Sequence, residues 1–474
     1  MAIVKSILHK KNSSGSYDEL YLRTRADNVL LTDNSTLLSA KLTTMDNTIA
    51  SKAAGDHTHT VSQITGLSTG SGYEIADIRF TPRGDLDSNW LLANGATISS
   101  TNYPELVSIL SNIPKYSKFA TTTVYTSSSN STANTLLFVK YVNGYWIVGG
   151  TYYTSSTYYA YIDYATSITG PWTRKIIYSG SNATQIQDIT YGNGYWVIGG
   201  YHVKWKASLF YSTSLSGTWT VISNIWQSGS DGVAQVLSIE YANGYFVAGG
   251  YEMGGADDDN GSSYIAYATT PTGTWTKKNI DTSEDDNSGD GTRCHKVYYT
   301  GSYWIAINYN SANVYPRLYY SSNNTPTTWT LLGAGKGGAK GIAYANGYYL
   351  SGGRDVIYYT TNPKGTWTSV SITQFRYSSG SSVTVNDVTH DGTKWIAALD
   401  HGRLIYSYDL TNWTLMDATI GTQNVISIYS HDGVWAAVGS TNSNPYNKLL
   451  GYVDPTSAVL PTVTSDVNAY IKAK

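Results

Sequence analysis

The chain has 474 residues, of which 14% are charged, and its 31 Lys and Arg nearly balance 33 Asp and Glu for a formal net charge of -2. This balance excludes a strongly basic protein of the kind that binds duplex DNA or an acidic membrane. The 43 Tyr, 45 Gly and 14 Trp favour many short strands joined by tight turns. With Cys294 as its one cysteine, we expect no intrachain disulfide and folding in a reducing cytosol. We expect no signal peptide and no membrane span, since no apolar run approaches about 18 residues.

The first predicted element is a short coiled-coil stalk. An a/d seam of apolar residues runs through Leu31, Leu38, Leu42, Met45 and Ile49. Two heptads are marginal as an isolated helix, so we expect this helix to form inside an oligomer. The alternative is a single amphipathic helix packed on a neighbouring domain.

A histidine pair, His57 and His59, follows the stalk in the sequence GDHTHTVSQITGL. Because residues i and i+2 of an extended segment point the same way, both imidazoles share one side of the chain. Two ligands are too few for a stable metal site, since zinc takes about four and octahedral metals about six. The pair therefore predicts a metal site only if other copies of the chain contribute theirs. The alternative is a turn in which both rings are hydrated or hydrogen-bonded.

The segment from about residue 73 to residue 113 carries a specific motif. It consists of Asp77, Ile78, Trp90, Leu91, Gly95, Ile98, Ser99, Tyr103, Pro104 and Leu106. This pattern resembles the phage tail-collar domain, although Ala93 stands where that family usually has a cysteine. Asn94-Gly95 predicts a hairpin turn. Pro104 predicts the start of a helix, with Ser100 or Thr101 available as its cap.

The end of the chain resembles the end of the same domain. Tail-collar domains commonly close with Leu-Pro and a Tyr-Ile-Lys-Ala tail, and this chain ends in LPTVTSDVNAYIKAK. The resemblance therefore implies a collar domain split into residues 68–113 and 453–474, with residues 114–452 inserted between them. It also implies a tail-attachment region at residues 1–30 and a stalk at residues 31–67.

The inserted segment is a sevenfold repeat. The sequences YVNGYWIVGG, YGNGYWVIGG and YANGYFVAGG place Asn143, Asn193 and Asn243 fifty residues apart, and four weaker copies follow. A second marker of the type GTWT follows six of the copies, at Trp172, Trp219, Trp275, Trp329, Trp367 and Trp413. Each copy predicts four strands, a to d, with a type I′ turn at Asn-Gly or Asp-Gly between a and b. Four-stranded units at this period predict a seven-bladed β-propeller.

The seventh copy lacks the tryptophan marker and therefore lacks a fourth strand. Lys118–Thr126 alternates as an edge strand does and precedes the first copy, so we predict that it closes blade seven. The predicted fold is mainly β: a seven-bladed β-propeller inserted in a small collar domain and preceded by a short trimeric coiled-coil stalk.

Hydrolysis of the sialidase type would require clustered arginines and a tyrosine nucleophile beside a glutamate. None of the candidate residues stands in a recurring catalytic context: Arg174, Arg293, Arg317, Arg354, Arg376, Arg403, Glu240, Glu252 and Glu284. The c–d corner resembles the Asp-box of sialidase-type propellers only loosely, with Asp409 as its main acid. We therefore expect no enzyme. Cys294 and the two His-Asp-Gly histidines, His390 and His431, are interpreted as structural.

Two acid-rich loops, around Asp257 and Asp285, have the composition of a calcium site. Neither has the ligand spacing of a recognised calcium loop, so solvated acidic loops are the expectation and calcium is the alternative.

Aromatic residues outside the repeat pattern predict where a ligand binds. Tyrosine and tryptophan present a flat apolar face with a polar edge, which suits sugars. The informative residues are Tyr152, Tyr153, Tyr158, Tyr159, Trp205, Tyr315 and Tyr446. They are predicted in b–c connections, whose sequences vary between blades, whereas the a–b and c–d turns are nearly uniform. If both junctions with the collar lie at the c–d corner of blade seven, the b–c and d–a connections face away from the collar.

The resemblance implies a phage tail-fibre or tail-tip receptor-binding protein that attaches the virion to a cell-envelope glycan of the host. It implies assembly in the host cytoplasm, attachment to tail or baseplate proteins through the N-terminal region, and neither nucleic-acid binding nor membrane insertion. A structural fibre or baseplate subunit and a glycan depolymerase are the alternatives.

The same resemblance bears on the histidine pair. Some phage fibres hold iron in His-x-His rings on a threefold axis, so the resemblance implies a homotrimer. Its three copies of His57 and His59 would supply six imidazoles to a transition metal, iron rather than zinc.

Overall fold

The computed structural model describes residues 7–11, 17–21, 75–81, 86–111, 117–126, 135–154, 156–203, 206–226, 233–253, 261–281, 292–309, 317–321, 324–334, 341–378, 380–419, 424–440, 447–460 and 468–474. The chain forms two compact units, Met1–Tyr73 and Glu74–Lys474. In the first unit, the described strands β1 (Ile7–Lys11) and β2 (Tyr17–Tyr21) form an antiparallel pair. The predicted stalk, with His57 and His59, lies outside the described residues.

The second unit begins and ends in one small β-structure. Its elements are β3 (Ile78–Thr81), β4 (Trp90–Leu92), β5 (Thr97–Ser99), helix α1 (Pro104–Ser111) and, at the end of the chain, β34 (Asn468–Lys472). Strand β34 lies between β3 and β4 and is antiparallel to both, with Ile471 opposite Ile78 on one side and Leu91 on the other. The two segments in which the sequence resembles a tail-collar domain therefore pair with each other, and together they are called the collar segment here.

Helix α1 begins at Pro104, as predicted, because a proline at the first helical position loses no hydrogen bond. It buries Leu106, Val107 and Leu110, which share one apolar cluster with Ile98 and Ile471. The predicted cap is wrong, because Tyr103 immediately precedes the helix and its carbonyl accepts the first helical N–H bond.

The hairpin predicted at Asn94-Gly95 is also wrong. Gly95 does have a positive φ of 80°, and the Asn94 side chain accepts the Ala96 N–H at 3.0 Å. The strands on either side do not pair with each other, because β4 pairs with β34 and β5 pairs with a strand near the end of the repeat region. The turn therefore connects two sheets.

Six four-stranded antiparallel sheets follow, numbered one to six in chain order. Sheets one to three contain β7 (Thr135–Val142), β8 (Tyr145–Thr154), β9 (Thr157–Ala165) and β10 (Thr173–Gly180); β11 (Gln185–Gly192), β12 (Tyr195–His202), β13 (Lys206–Ser212) and β14 (Thr220–Ser223); and β15 (Val233–Ala242), β16 (Tyr245–Met253), β17 (Gly261–Ala268) and β18 (Thr276–Asp281).

Sheets four to six contain β19 (Arg293–Tyr299), β20 (Trp304–Tyr309), β21 (Arg317–Ser321) and β22 (Trp329–Ala334); β23 (Ile342–Ala345), β24 (Tyr348–Gly352), β25 (Val356–Thr360) and β26 (Thr368–Ser371); and β27 (Val385–His390), β28 (Trp395–Leu399), β29 (Arg403–Ser407) and β30 (Thr414–Thr419). A short 3-10 helix, Thr373–Phe375, follows β26. The prediction of four strands per repeat is confirmed in these sheets.

The seventh sheet is built from both ends of the repeat region. It contains β31 (Ser427–His431), β32 (Val434–Ser440), β33 (Asn447–Val459) and, from before the first repeat, β6 (Ser117–Thr126). Strand β6 lies antiparallel to β33, with Thr122 opposite Leu450. The strand predicted to complete the seventh copy therefore does pair with its third strand.

The sheets follow one another around a common axis. The first strands contact their neighbours in the series β7, β11, β15 and β19 and again in the series β23, β27 and β31, and β31 contacts β7. The contact between β31 and β7 returns the series to its start, so the first strands surround a central channel.

Five of the a–b turns have the predicted type I′ signature. Asn143, Asn193, Asn243, Asn346 and Asp432 all have φ between 47° and 52°, and a glycine with positive φ follows each of them. The turn at Asp391 in the sixth copy is an exception, because only Gly392 has a positive φ there. The Asp391 carboxylate instead accepts the backbone N–H groups of Thr393 and Lys394, each at 3.0 Å, in a longer turn.

The tryptophan marker stabilises the c–d corner. In five corners the tryptophan indole N–H donates to a backbone carbonyl three or four residues earlier, at 3.0–3.3 Å. The five donors are Trp219, Trp275, Trp329, Trp367 and Trp413. In the sixth sheet the Asn412 side-chain amide and the backbone N–H groups of Asn412 and Thr411 donate to the Asp409 carboxylate, and these bonds lower its pKa. No helix in the described part of the chain has the length and apolar character needed to cross a membrane.

Candidate functional site

The face of the repeat region that carries the b–c and d–a connections is called the outward face here. Ser117 pairs with Ala458, and Ser457 pairs with Ser99, so both connections to the collar segment leave at the c–d corner of the seventh sheet. In a four-stranded meander, the b–c and d–a connections lie at the opposite end from the c–d corners. The outward face is therefore directed away from the collar segment.

The four tyrosines predicted in the first b–c connection lie on strands, not in a loop. Strands β8 and β9 continue as a hairpin to Thr154 and Thr157, because the segment is rich in Tyr and Thr, which favour extended backbone. The ring centroids of Tyr152 and Tyr159 are 4.5 Å apart and stacked, and those of Tyr153 and Tyr158 are 4.4 Å apart. This part of the site is therefore a paired aromatic hairpin and not an irregular loop.

The stacked pair continues into the body of sheet one. Tyr152 also contacts Tyr161, and the Arg174 guanidinium lies over the Tyr161 ring at 4.3 Å. Arg174 is held by two hydrogen bonds to the carboxylate of Asp163, at 2.8 and 2.7 Å. Cation–π and bidentate contacts fix these side chains, so the base of the hairpin is preorganised.

A largely buried group of tyrosines and amides connects sheets two and three near their outward ends. The Tyr251 hydroxyl donates to Gln235 at 3.3 Å, and the amides of Gln235 and Gln187 both donate to Gln185. Burial, together with the nearby Tyr251 and Tyr158, raises the pKa of Tyr201. Because Tyr201, Gln235 and Tyr251 are buried, this group joins the two sheets and presents no surface to a ligand.

The central channel has a volume of about 610 Å³ and is lined by the first strands of the sheets. Two positions recur on each first strand beside the channel, and most of the residues at these positions line it. They are the residue just before an aromatic residue or serine near the end of the strand, and the residue two places before that. The later positions are Lys140, Thr190, Glu240, Tyr298, Ala343, Thr389 and Tyr429, and the earlier ones are Phe138, Asp188, Ser238, Lys296, Gly341, Asp387 and Ser427.

Side chains at the earlier position join neighbouring sheets. The Asp188 carboxylate accepts the N–H of Ile239 in the next sheet at 3.1 Å, and Asp387 accepts that of Ile428 at 3.0 Å. The hydroxyl of Ser238 accepts the N–H of Val297 in the same way. At the later position, Thr190 and Glu240 accept N–H groups from the following sheet, at 3.1 and 3.2 Å. These bonds satisfy backbone groups that a bare channel wall would leave unpaired.

The channel also contains a buried group of charges. Lys140 forms an ion pair of 3.0 Å with Asp188. Burial opposes ionisation of Asp188, but the charges of Lys140 and Lys296 outweigh it and lower the pKa of this carboxyl. Burial likewise opposes the charge of Lys296, and the carboxylates of Asp188, Asp387 and Glu240 outweigh it and raise its pKa. Burial raises the pKa of Asp387.

Glu240 is a channel residue whose pKa is raised toward neutrality. Burial raises its pKa to about 7, against the opposing charges of Lys140 and Lys296. The described residues that line the channel include no arginine. Among the described residues, no group of three or more histidine, cysteine or acidic side chains is placed to hold a metal ion. The two lysines, Lys140 and Lys296, lie among three carboxyl groups, and these contacts join the sheets.

The remaining predicted residues divide into two groups. Trp205, Tyr315 and Tyr446 lie outside the described residues, as do His57, His59 and both acidic loops. The residues interpreted as structural have structural contacts: His431 stacks on Tyr141 with ring centroids 3.6 Å apart, and His390 hydrogen-bonds Asn346 at 3.1 Å. Cys294 is fully buried, and burial raises the pKa of its thiol.

The comparisons with known proteins concern the fold. No family model matches the chain, and no curated protein matches it in sequence. Solved structures similar to it include the WD40 β-propeller domain of Doa1 (TM-score 0.43, 11% identity, 71% of this chain and 97% of that one). The β-propeller domain of Myceliophteria_thermophila Cps50 (Swd1) has a TM-score of 0.44 at 12% identity and covers 72% of this chain and 100% of that one.

Trypanosoma rangeli sialidase in complex with the inhibitor DANA has a TM-score of 0.39 at 12% identity, over 70% of this chain and 59% of that one. These similarities concern architecture alone. The chain is mainly β and is built of repeated four-stranded antiparallel sheets, as its propeller neighbours are.

Proposed function

We propose that this protein is a phage tail-fibre or tail-tip receptor-binding protein. A seven-bladed propeller, inserted in a tail-collar domain and carried on a trimeric stalk, binds a cell-envelope glycan of the host through its outward face. The observation that supports this proposal most is the geometry of the two junctions. Because both lie at one corner of the seventh sheet, the collar segment holds the repeat region by the opposite face and leaves the outward face free.

The surface chemistry of that face supports the same proposal. Its first b–c connection is an aromatic hairpin that presents two cross-strand tyrosine pairs. Tyrosine buries a large area on binding at a low cost in side-chain entropy, which suits weak, repeated contacts with sugars. A trimer multiplies such contacts, since three heads bound to one surface dissociate far more slowly than one.

A double variant of the hairpin tests the proposal. Tyr153→Ala with Tyr158→Ala removes one cross-strand pair, and we expect binding of the labelled full-length protein to host cells to fall at least tenfold. The matched control is Tyr344→Ala with Tyr348→Ala. These tyrosines, 48% and 36% exposed, lie beside the Asn346 turn on the opposite face, and their loss should leave binding unchanged.

Three outcomes would contradict the proposal in different ways. Wild-type protein that fails to bind the cells its particle infects would favour a purely structural subunit. Shortened glycan products after incubation would favour a depolymerase. Loss of binding in the Tyr344 and Tyr348 variant alone would place the receptor contact on the collar side.

The trimer and its metal are a separate part of the proposal. Three copies of His57 and His59 would supply the six nitrogen ligands that an octahedral transition metal requires. Elemental analysis of the purified trimer should find one transition-metal ion, iron rather than zinc, for three chains. An intact trimer that contains no metal would refute the proposed metal site and would not contradict the proposed trimer.

A further inference from the structure

The outward face of sheets five and six is built differently from that of sheet one. Its two b–c connections, 353–355 and 400–402, are short, but the long d–a connection between β26 and β27 lies over both. The N–H of Asp355 donates to Val383, and the N–H of Asp400 donates to Thr384, at 2.7 and 3.3 Å. The side chains of the same two aspartates also bond to these residues. The Asp355 carboxylate accepts the Val383 N–H at 2.9 Å, and the Asp400 carboxylate accepts the Thr384 N–H at 3.1 Å. Three connections therefore form one cross-linked surface.

Three of the propeller's arginines meet on this surface. Arg376 donates twice to the Asp355 carboxylate, at 3.0 and 2.8 Å. Arg403 donates to the carbonyl groups of Asp400 and Phe375. Arg354 is exposed, and its Nε donates to the Ser382 hydroxyl at 2.6 Å. The surface also contains the carboxylates of Asp355 and Asp400, so its three arginines and two aspartates give it one net positive charge.

The two terminal guanidinium nitrogens of Arg354 are the polar groups that point to a ligand. Arg376 and Arg403 are each held by two acceptors of the protein. Arg354 uses only its Nε in this way, and no described residue hydrogen-bonds its two terminal nitrogens. Terminal guanidinium nitrogens form a planar fork that matches the two oxygens of a carboxylate.

An exposed aromatic ring completes the surface. Tyr377 is 70% exposed, more than any other large apolar or aromatic side chain in the described residues. Its ring is nevertheless fixed, because it stacks on His401 with centroids 4.6 Å apart and planes 4° apart, and Arg403 lies 5.9 Å from its centre. A rigid, exposed ring of this kind presents a ready face to the C–H groups of a sugar.

We propose that this surface, formed by Arg354, Arg376, Tyr377, His401 and Arg403, binds a saccharide that carries a carboxylate. The Arg354 fork binds the carboxylate and the Tyr377 ring packs on the sugar ring. The single net positive charge matches one carboxylate for each sugar. The inference rests on the proposed function, which it deepens by naming an acidic glycan as the receptor class.

Titration calorimetry of the full-length protein with oligomers of glucuronic acid tests the inference. Glucose oligomers of equal length, which lack the carboxylate, and a glycerol phosphate polymer serve as comparison ligands. We expect binding to the glucuronate oligomer alone among the three, with an affinity that falls as salt is raised. Arg354→Ala and Tyr377→Ala should each weaken it at least tenfold. Arg354→Lys should recover only part of the loss, because lysine restores the charge but not the fork.

Lys364→Ala is the matched control. Lys364 is an exposed cation of sheet five at a c–d corner, on the opposite face, and it also lies over tyrosine rings, at 4.0 Å from Tyr303. Its loss changes the net charge equally and should leave glucuronate affinity unchanged. Equal binding of the glucose oligomer, tighter binding of the phosphate polymer, or unchanged affinity in Arg354→Ala and Tyr377→Ala would each overturn the inference.

The assay separates this inference from the proposed function. Wild-type protein that binds host cells but not glucuronate would refute the acidic-glycan site and leave the receptor-binding function in place. Protein that binds neither would refute both. Melting temperatures of the variants should match that of the wild type, since Arg354 and Tyr377 are both exposed.

Discussion

Glu240 should make the stability of the folded protein depend on pH. Its carboxylate accepts the Tyr299 N–H at 3.2 Å, and burial raises its pKa to about 7, in spite of Lys140 and Lys296. Replacement by glutamine retains the shape and the acceptor oxygen and removes only the negative charge. Glu240→Gln therefore isolates the cost of holding that charge in the channel.

The size of the effect follows from the pKa shift. The pKa rises from an ordinary value of 4.5 to about 7. At about 1.4 kcal/mol per pH unit, the ionised side chain costs at most roughly 3 to 4 kcal/mol, and water in the channel reduces this figure by screening. Because the folded-state pKa is raised, the contribution of Glu240 to stability is fully present below pH 4.5 and is lost as the pH rises through about 7.

Thermal melting of the full-length protein between pH 5 and pH 8.5 measures this cost. We expect the melting temperature of Glu240→Gln to approach or exceed that of the wild type as the pH rises, with a relative gain of up to about 4 °C for a unit of roughly 400 residues. Parallel curves for the two proteins over this range would refute the reasoning.

A second channel variant should behave in the opposite sense. The lysines lower the pKa of Asp188, so its ionised form stabilises the fold above its ordinary pKa and loses this contribution as the pH falls. Asp188→Asn should therefore lower the melting temperature at pH 7 and above, and the difference from the wild type should shrink in acid. A rise in stability at pH 8 would show that the channel charges repel one another on balance.

Two further predictions concern the repeat itself. Gly200→Ala should destabilise the protein by more than about 2 kcal/mol, because a Cβ there would lie 1.9 Å from the Gln185 carbonyl oxygen. The control Gly194→Ala meets open space and should cost only about 1 kcal/mol for its positive φ; equal losses in chemical denaturation would contradict this. Replacing β6 by a Gly-Ser segment of equal length should lower the melting temperature of the whole repeat region, because it removes the fourth strand of sheet seven. An unchanged melting temperature would mean that β6 contributes nothing to closure.

The repeat pattern predicted most of the fold because its markers are local. A type I′ turn needs Asn-Gly or Asp-Gly at two adjacent positions, so Asn143, Asn193 and Asn243 identified the turns directly. The fourth strand of sheet seven was also predictable, since a missing tryptophan marker left one sheet incomplete. The hairpin at Asn94 failed because a local turn signal does not say which strands pair.

The channel charges were not predicted, because they come together only when the sheets surround an axis. Lys140, Asp188, Glu240, Lys296 and Asp387 belong to five different repeats and differ in residue type. The signal was nonetheless present, since each lies one or three places before a tyrosine or histidine at or near the end of its first strand. The arginine surface was missed for a related reason: Arg354, Arg376 and Arg403 are far apart in sequence, and the connection that joins them carries no motif.

The pairing of Ser117 with Ala458 also has an evolutionary consequence. Facing residues of antiparallel strands lie about 5 Å apart, so the whole inserted head enters and leaves the collar segment through one narrow gap. Any other domain whose termini are equally close could replace it without disturbing the pairing of β34 with β3 and β4. If the proposed receptor-binding function holds, exchange of the inserted region at these two borders would change the receptor that is bound and leave the pairing of β34 intact.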